Sequence, residues 1–295
     1  MNDMTAQRRT INEALRWASL FLQQRDREPR VAEILLQYHT GLERAGFLAA
    51  QRELLPKETD DQFIADVKAH GETGIPVQHL TGTEAFYGRD FLVDKHVLIP
   101  RPETEELVLG VLEYARGLGE KPVRLVDVGT GSGVIAITLK LEKPSWKVAA
   151  TDISEHALQV AKQNADRLGA EIDFQQGYFL QPVVERREQV DIIVSNPPYI
   201  AHQEKASLDE TVKNFDPALA LFAEKEGLAA YHQIIDRADS ILASPGLIAF
   251  EIGHQQGVQV SGLIRSKFPG ASIDIRKDIN GKDRMVFAQI SKKQP

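Results

Sequence analysis

The chain predicts an α/β fold: a mostly parallel sheet covered by helices on both faces, preceded by a small all-α segment and a β-hairpin. Three observations predict it. From Val123 onward, short apolar runs alternate with helical stretches, the pattern of strands joined by crossover helices. The first eighty or so residues space their apolar side chains three and four apart instead, as helices do. Between the two regions, β-like runs flank Gly88.

The elements follow in order. Thr10-Ile11-Asn12-Glu13 fits a capping box, with Thr10 as N-cap and Glu13 reaching back. Ile11, Leu15, Ala18 and Leu22 fall on one stripe of the helix it opens. A second helix spans residues 30–38, with Val31, Ile34, Leu35 and Tyr38 on its apolar side and Gly41 as its stop. A third begins near Asp60 or Asp61 and carries Phe63, Ile64 and Val67. Residues 1–80 hold ten Lys/Arg and twelve Asp/Glu. The segment is therefore nearly neutral. It shows no catalytic constellation and reads as a positioning module. Residues 81–102 read as a hairpin connector, with Ala85-Phe86-Tyr87 and Phe91-Leu92-Val93 as its strands.

Residues 103–295 read as the α/β domain. A helix starts at Glu103 or Thr104 with Leu107, Val111 and Leu112 inward. Strands are expected at 123–128, 147–151, 172–175, 191–195 and 247–251. Helices are expected at 134–141, 154–168 and 228–242, with Ser154 as an N-cap. The end differs: Ile273-Asp274-Ile275 and Met285-Val286-Phe287-Ala288 flank the turn dipeptide Asn280-Gly281, which predicts a terminal antiparallel pair.

Composition narrows the function. The chain has 295 residues, 42% hydrophobic and 26% charged, as globular proteins do. Its formal net charge of -7 argues against a naked nucleic acid as main partner. No apolar run is long enough for a membrane span. Met1-Asn2-Asp3-Met4-Thr5 leads into Arg8-Arg9 without the apolar stretch of a signal peptide, so the cytoplasm is the expected compartment. With no cysteine there are no disulfides and no thiolate metal sites. His79, His202, His232 and His254 lack metal-ligand spacing. No metal is expected.

Two motifs carry the chemistry. Gly129, Thr130, Gly131, Ser132 and Gly133 follow the first core strand and open a helix. Position 134 is Val134, so the G-x-G-x-x-G dinucleotide fingerprint is absent. Asp152 ends the second strand, where a carboxylate can accept from both ribose hydroxyls of a nucleoside. Downstream, Asn196-Pro197-Pro198-Tyr199 follows the buried run Asp191-Ile192-Ile193-Val194-Ser195. Two prolines give a stiff turn without backbone N–H groups. Asn196 adds a side-chain carbonyl and Tyr199 a flat ring, which together suit a planar –NH2 group. NAD would satisfy the acid alone. S-adenosylmethionine satisfies the acid, the glycine spacing and the acceptor motif together.

At this point the chain resembles a known family. Ile99-Pro100-Arg101-Pro102-Glu103-Thr104-Glu105, the glycine loop and Asn196-Pro197-Pro198-Tyr199-Ile200 resemble the release factor glutamine methyltransferases, the PrmC/HemK family. Val77-Gln78-His79-Leu80-Thr81-Gly82 and the stretch from Phe250-Glu251-Ile252-Gly253 to Gly257 are similar to its connector and its late-strand motif. The resemblance implies a Rossmann-like class I methyltransferase sheet using S-adenosylmethionine. It implies as acceptor the glutamine of the Gly-Gly-Gln loop in class-1 peptide chain release factors, with no direct nucleic acid or membrane partner. By motif, residues 129–133 would line the methionine side of the cofactor, Asp152 would hold the ribose, and Phe179 would lie against adenine. Tyr178 stands where the family often has an acid. Asn196 to Tyr199 would hold the acceptor, Asn196 Oδ1 and the Pro197 carbonyl each taking one amide N–H. The Asn-Pro-Pro-Tyr motif is shared with enzymes that methylate exocyclic amines of RNA or DNA, the alternative reading. A related variant is glutamine methylation of a ribosomal protein, and a third class is a regulator that binds cofactor without catalysis.

Overall fold

The computed structural model describes residues 8–118 and 122–291; the leader reading of the first five residues lies outside the described residues. The chain forms two units. The first runs to Gly82 and takes in Asp209–Phe215, and the second holds the remainder.

The first unit contains α1 (Ile11–Gln23), α2 (Val31–Thr40), α3 (Arg44–Ala49), α4 (Lys57–Thr73) and α5 (Val77–Thr81). The Thr10 capping box forms as expected, with both reciprocal hydrogen bonds present. Ile11, Ala14, Ala18 and Leu22 of α1 pack against Val31, Ala32, Leu35 and Leu36 of α2 and Phe63 and Val67 of α4. This corrects the α2 stripe. Ile34 and Tyr38 are exposed, and the overlapping stripe Val31, Ala32, Leu35 and Leu36, also spaced three and four apart, is the one buried in the core. Gly41 ends α2 in the left-handed conformation, at φ 65°. Helix α4 starts before the expected Asp60, directly after Pro56, whose ψ of 141° is extended. Glu58 and Asp60 then lie in its first turn, where carboxylates favour the positive helix end.

The second unit opens with the hairpin β1 (Thr83–Phe86) and β2 (Arg89–Leu92). Tyr87 and Gly88, at φ 50° and 72°, make its two-residue turn. Then come α6 (Pro102–Ala115), β3 (Arg124–Val128), α7 (Val134–Glu142), β4 (Lys147–Asp152), α8 (Glu155–Leu168), β5 (Asp173–Gln176), α9 (Gln181–Glu185) and β6 (Val190–Ser195). The short pair β7 (Ile200–Ala201) and β8 (Phe222–Ala223) brackets α10 (Glu210–Phe215, part of the first unit) and α11 (Ala218–Leu221). The chain continues through α12 (Ala229–Ala238), β9 (Leu242–Glu251), α13 (Gly257–Lys267), β10 (Ser272–Lys277) and β11 (Asp283–Ile290). Pro102 sits at the start of α6, so that helix begins one or two residues before the expected Glu103 or Thr104.

Seven strands form one sheet in the order β10-β11-β9-β6-β3-β4-β5. The five from β9 to β5 run parallel, and β11 is antiparallel to both of its neighbours, its pairing with β10 being the one the Asn280-Gly281 turn predicts. Alternation along each strand feeds two cores. Ile192, Val194, Leu247 and Ala249 pack with Leu107 and Val111 of α6 and Ile135 and Leu139 of α7. Ile193, Ile248 and Phe250 pack with Tyr231 and Ile234 of α12 and Val260 and Ile264 of α13. From β3 the chain steps outward to β4 and β5, then returns to β6 on the other side of β3. The carboxyl ends of β3 and β6 therefore flank a topological switch point, where open α/β sheets leave a crevice. Among the described residues no helix is long and apolar enough to cross a membrane.

Candidate active site

A cavity of about 430 Å³ opens at that switch point, within the size range of small-molecule sites. Gly129, Thr130, Gly131 and Ser132 line it from the loop after β3, Asp152 from the end of β4, Tyr178 and Phe179 from beyond β5, and Asn196 and Pro198 from the end of β6. Four segments distant in sequence thus meet there. Gly133, Pro197 and Tyr199 do not line it. Gly133 is packed inward, where a Cβ would crowd Ile137 and Ala161 at 2.8 and 3.1 Å. Pro197 is buried. Tyr199 packs against the core beside α12, and its carbonyl accepts from Gln256 Nε2 at 2.9 Å.

The glycine loop is held from beneath. Gly129 N and Thr130 N donate to the Thr151 carbonyl at 2.8 and 3.0 Å. Thr130 Oγ1 donates to Asp127 Oδ2 at 2.6 Å, and Ala136 N donates to the same oxygen. Asp127 is fully buried, and burial pushes its carboxyl up to about 7, opposed by those two hydrogen bonds and reinforced by the nearby Asp152. On the cavity side the loop is bare: a Cβ at Gly129 or Gly131 would meet nothing within 4 Å. That open space lets a ligand touch backbone directly.

Asp152 ties this loop to the next helix. Its Oδ2 accepts from Gly131 N and its Oδ1 from Ser154 N, both at 2.9 Å. With the Ile153 N–H as a third donor, about one of the four acceptor sites of the carboxylate stays open. Burial raises its pKa, while the N–H groups of Ser154, Gly131 and Ile153 work against that rise. A half-buried carboxylate at the cavity wall, beside bare glycine backbone, fits the diol and linker of an adenosyl ligand. Phe179 holds a positive φ of 49°, an uncommon conformation for a non-glycine residue. Tyr178 meets Phe179 edge-on at 4.6 Å, and its phenol oxygen accepts from Gln233 Nε2 at 3.3 Å.

Asn196 is anchored by residues that motif reading did not single out as functional. Its Nδ2 donates to Thr104 Oγ1 at 3.2 Å, and Thr104 Oγ1 donates to Glu251 Oε2 at 2.7 Å. Burial pushes Glu251 up to about 7, with Thr104, Arg284 and Asn196 favouring its charged form and Glu103 opposing it. Tyr231 donates its hydroxyl to the Glu251 carbonyl. Burial, then the charge of Glu251, pushes Tyr199 up to about 12. Gly227, at φ 82°, lies so close to the Tyr199 carbonyl that a Cβ there would run into it. Thr104 and Glu251 sit inside the two motif stretches already noted, which is the only signal the sequence holds for them.

Comparison with known proteins agrees with this geometry. Residues 107–220 match the methyltransferase small domain, and residues 13–82 match the PrmC N-terminal domain. The release factor glutamine methyltransferase of Bacillus subtilis (strain 168) is 46% identical over 96% of this chain and 99% of its own length. The chain belongs to the release factor glutamine methyltransferase family. The Enterococcus faecalis protein of that name is 44% identical over 94% of this chain and 98% of its own. Among solved structures, the catalytic domain of hMettl16 in complex with a MAT2A 3′UTR hairpin overlaps 81% of this chain and 84% of its own at a TM-score of 0.54. At 16% identity, that likeness is one of fold. The α/β unit thus has the class I methyltransferase fold, as the sequence predicts.

Proposed function

We propose that this chain transfers a methyl group from S-adenosylmethionine to the side-chain amide nitrogen of the Gly-Gly-Gln glutamine in class-1 peptide chain release factors. The observation that carries the reading is the placement of Asn196 beside the glycine loop, with its amide nitrogen turned inward to Thr104. That leaves Asn196 Oδ1 as an acceptor for a planar –NH2 group. Family membership supports the choice of a glutamine.

When bound, S-adenosylmethionine supplies a methyl group made electrophilic by its sulfonium sulfur. Gly129, Thr130, Gly131 and Ser132 would lie along its methionine part, Asp152 would accept from the ribose hydroxyls, and Phe179 would pack on the adenine side. Gly133 would act from behind, by letting α7 and α8 approach. An amide nitrogen is a weak nucleophile, because its lone pair is delocalised into the carbonyl. Asn196 Oδ1 and the Pro197 carbonyl would each accept one N–H, hold the nitrogen in line and favour its pyramidal form. Pro198 would close the cavity beside them. For Tyr199 the support favours shaping the loop from the core over packing on the amide plane, since it does not line the cavity. The nitrogen held by these two acceptors would take the methyl group, its former bonding pair being left on the donor. The extra amide proton then leaves to solvent, so no general base is needed before transfer. Residues 1–80 would position the release factor, residues 81–102 connect, and residues 103–295 perform the chemistry, in the cytoplasm.

The test is incubation with labelled S-adenosylmethionine and four separate acceptors: release factor, ribosomal protein, tRNA and rRNA. Label in the Gly-Gly-Gln peptide of the release factor supports the reading. Label only in RNA would favour the exocyclic-amine alternative.

A further inference from the structure

A side-chain amide presents two ends of nearly equal shape, one accepting and one donating. Asn196 can clamp an –NH2 group only if its oxygen, not its nitrogen, faces that group. A turned amide would set donor against donor. Nothing within the Asn-Pro-Pro-Tyr motif itself decides the direction.

We propose that Thr104 and Glu251 are positioning residues that hold Asn196 with its carbonyl oxygen toward the acceptor. This rests on reading Asn196 as the amide clamp. The sheet brings the parts together: Ser195 of β6 pairs in register with Phe250 of β9, so the next residues, Asn196 and Glu251, emerge side by side. Thr104 reaches them from the first turn of α6. Thr104 and Glu251 are 3% and 2% exposed, so water does not compete for their hydrogen bonds.

The direction follows from donor counting. An ionised carboxylate only accepts. The Thr104 hydroxyl proton therefore goes to Glu251, at 2.7 Å, and the Thr104 oxygen has only lone pairs left for Asn196. Asn196 must meet it with an N–H. If Glu251 is neutral it can donate to Thr104 instead. The hydroxyl is then free to donate to Asn196 Oδ1, and the amide turns. The groups facing Glu251 are Thr104 and Glu103 from α6, Asn196 and Tyr199 from beyond β6, Tyr231 from α12 and Arg284 from β11. Arg284 directs its hydrogen bonds to Asp278 and the Ile252 carbonyl, which leaves Thr104 and the Asn196 amide as the side-chain hydrogen-bond partners of Glu251. Thr104 lines the cavity and Glu251 does not. Glu251 therefore acts on the Asn196 amide, directly and through Thr104, and is not a base toward substrate.

The experiment uses full-length Thr104→Ser, Thr104→Val and Glu251→Gln, with S-adenosylmethionine and a purified class-1 release factor. Thr104→Val should lower kcat on the order of 10- to 100-fold, the size of effect seen when a supporting partner of a site residue is lost. KM for the release factor should change far less, and cofactor Kd by calorimetry should not change. Thr104→Ser restores the hydroxyl and should retain most of kcat. Wild-type kcat should fall as pH drops through about 7, where Glu251 takes up its proton. Glu251→Gln should lose that limb. Equal kcat for the Val and Ser variants overturns the proposal, as does a Glu251→Gln profile that keeps the wild-type limb. If Glu251→Gln fails to fold, the Ser and Val pair decides alone. A wild-type chain that binds cofactor yet methylates no release factor overturns the reading beneath the proposal, and the proposal with it.

Discussion

Arg101 donates to Asp216 at 2.9 Å across 115 residues of sequence. The Asp216 side chain is 2% exposed and that of Arg101 42%. The pair joins the loop before α6 to the segment leading into β8, and Pro217, Leu219 and Ala220 of that segment line the cavity. Arg101→Ala removes a cationic partner from a buried carboxylate. The cost should be about 1–3 kcal/mol, toward the low end because the arginine is half in solvent. A looser wall should raise KM for the release factor more than it weakens cofactor binding. Thermal unfolding and steady-state kinetics check this; unchanged values in both would mean that the pair does not brace the wall.

Asp127 should make stability depend on pH. Its folded pKa of about 7 lies above its ordinary value of 3.8. The folded chain thus keeps a proton that the unfolded chain releases. The stabilisation is full below about pH 4 and is lost as pH rises through 7, at up to about 1.4 kcal/mol per pH unit. Glu251 acts with the same sign. Asp127→Asn retains an acceptor for Thr130 and Ala136 but no titrating group. Denaturant unfolding of this variant should show a shallower decline between pH 4 and 7 than wild type. Parallel curves would mean that Asp127 is not held neutral near pH 7.

Much of this architecture is local in origin and therefore legible in sequence. The Thr10 box, the Ser154 cap, the hairpin around Gly88 and the terminal antiparallel strands are each set by residues a few positions apart, although Tyr87, read as strand, lies in the hairpin turn. The glycine loop and Asn196 were legible because each directly follows a buried strand, and strand ends are where such sheets bind ligands. What was not legible depends on register and packing. Asn196 and Glu251 meet because β6 and β9 are neighbours with Ser195 opposite Phe250, and Thr104 joins them from α6. The inward face of α2 depends on which of two overlapping stripes meets α4, and the sequence supports both. Helix α13 contains Val258-Gln259-Val260, which alternates like a strand, and an internal Gly262. Tyr199 lies inside a functional motif, yet packing places it against the core.

Asp152→Ala should weaken cofactor binding. Each hydrogen bond lost between an ionised carboxylate and a ribose hydroxyl costs about 1.5–3 kcal/mol. The variant also frees Gly131 N and Ser154 N, which Asp152 holds at 2.9 Å, so the glycine loop should loosen with it. Calorimetry that returns the wild-type affinity would remove Asp152 from the site.

Asn196→Ala should abolish most methyl transfer and spare most cofactor binding. Loss of one positioned polar group at a reacting centre lowers kcat on the order of 10²- to 10³-fold. Near-normal turnover on a release factor would sink the amide clamp.

The positioning role proposed for the helical unit can be tested on the intact chain. Ile34 and Tyr38 lie one turn apart on the exposed side of α2, 40% and 51% accessible. They are large apolar side chains outside the core, on the unit proposed to position the release factor. Such residues contribute most when a partner covers them. Replacing both with lysine should cost little stability, since surface changes are usually within about 0.5 kcal/mol. If this face meets the release factor, KM for the intact factor should rise on the order of tenfold, a loss of about 1.4 kcal/mol in binding. Cofactor affinity should stay the same. The rate on a short peptide carrying the Gly-Gly-Gln sequence should also hold, because such a peptide can reach Asn196 without the helical unit. An unchanged KM for the intact factor would show that this face of α2 is not the dock. An equal loss on the peptide would show instead that the substitutions disturb the catalytic unit.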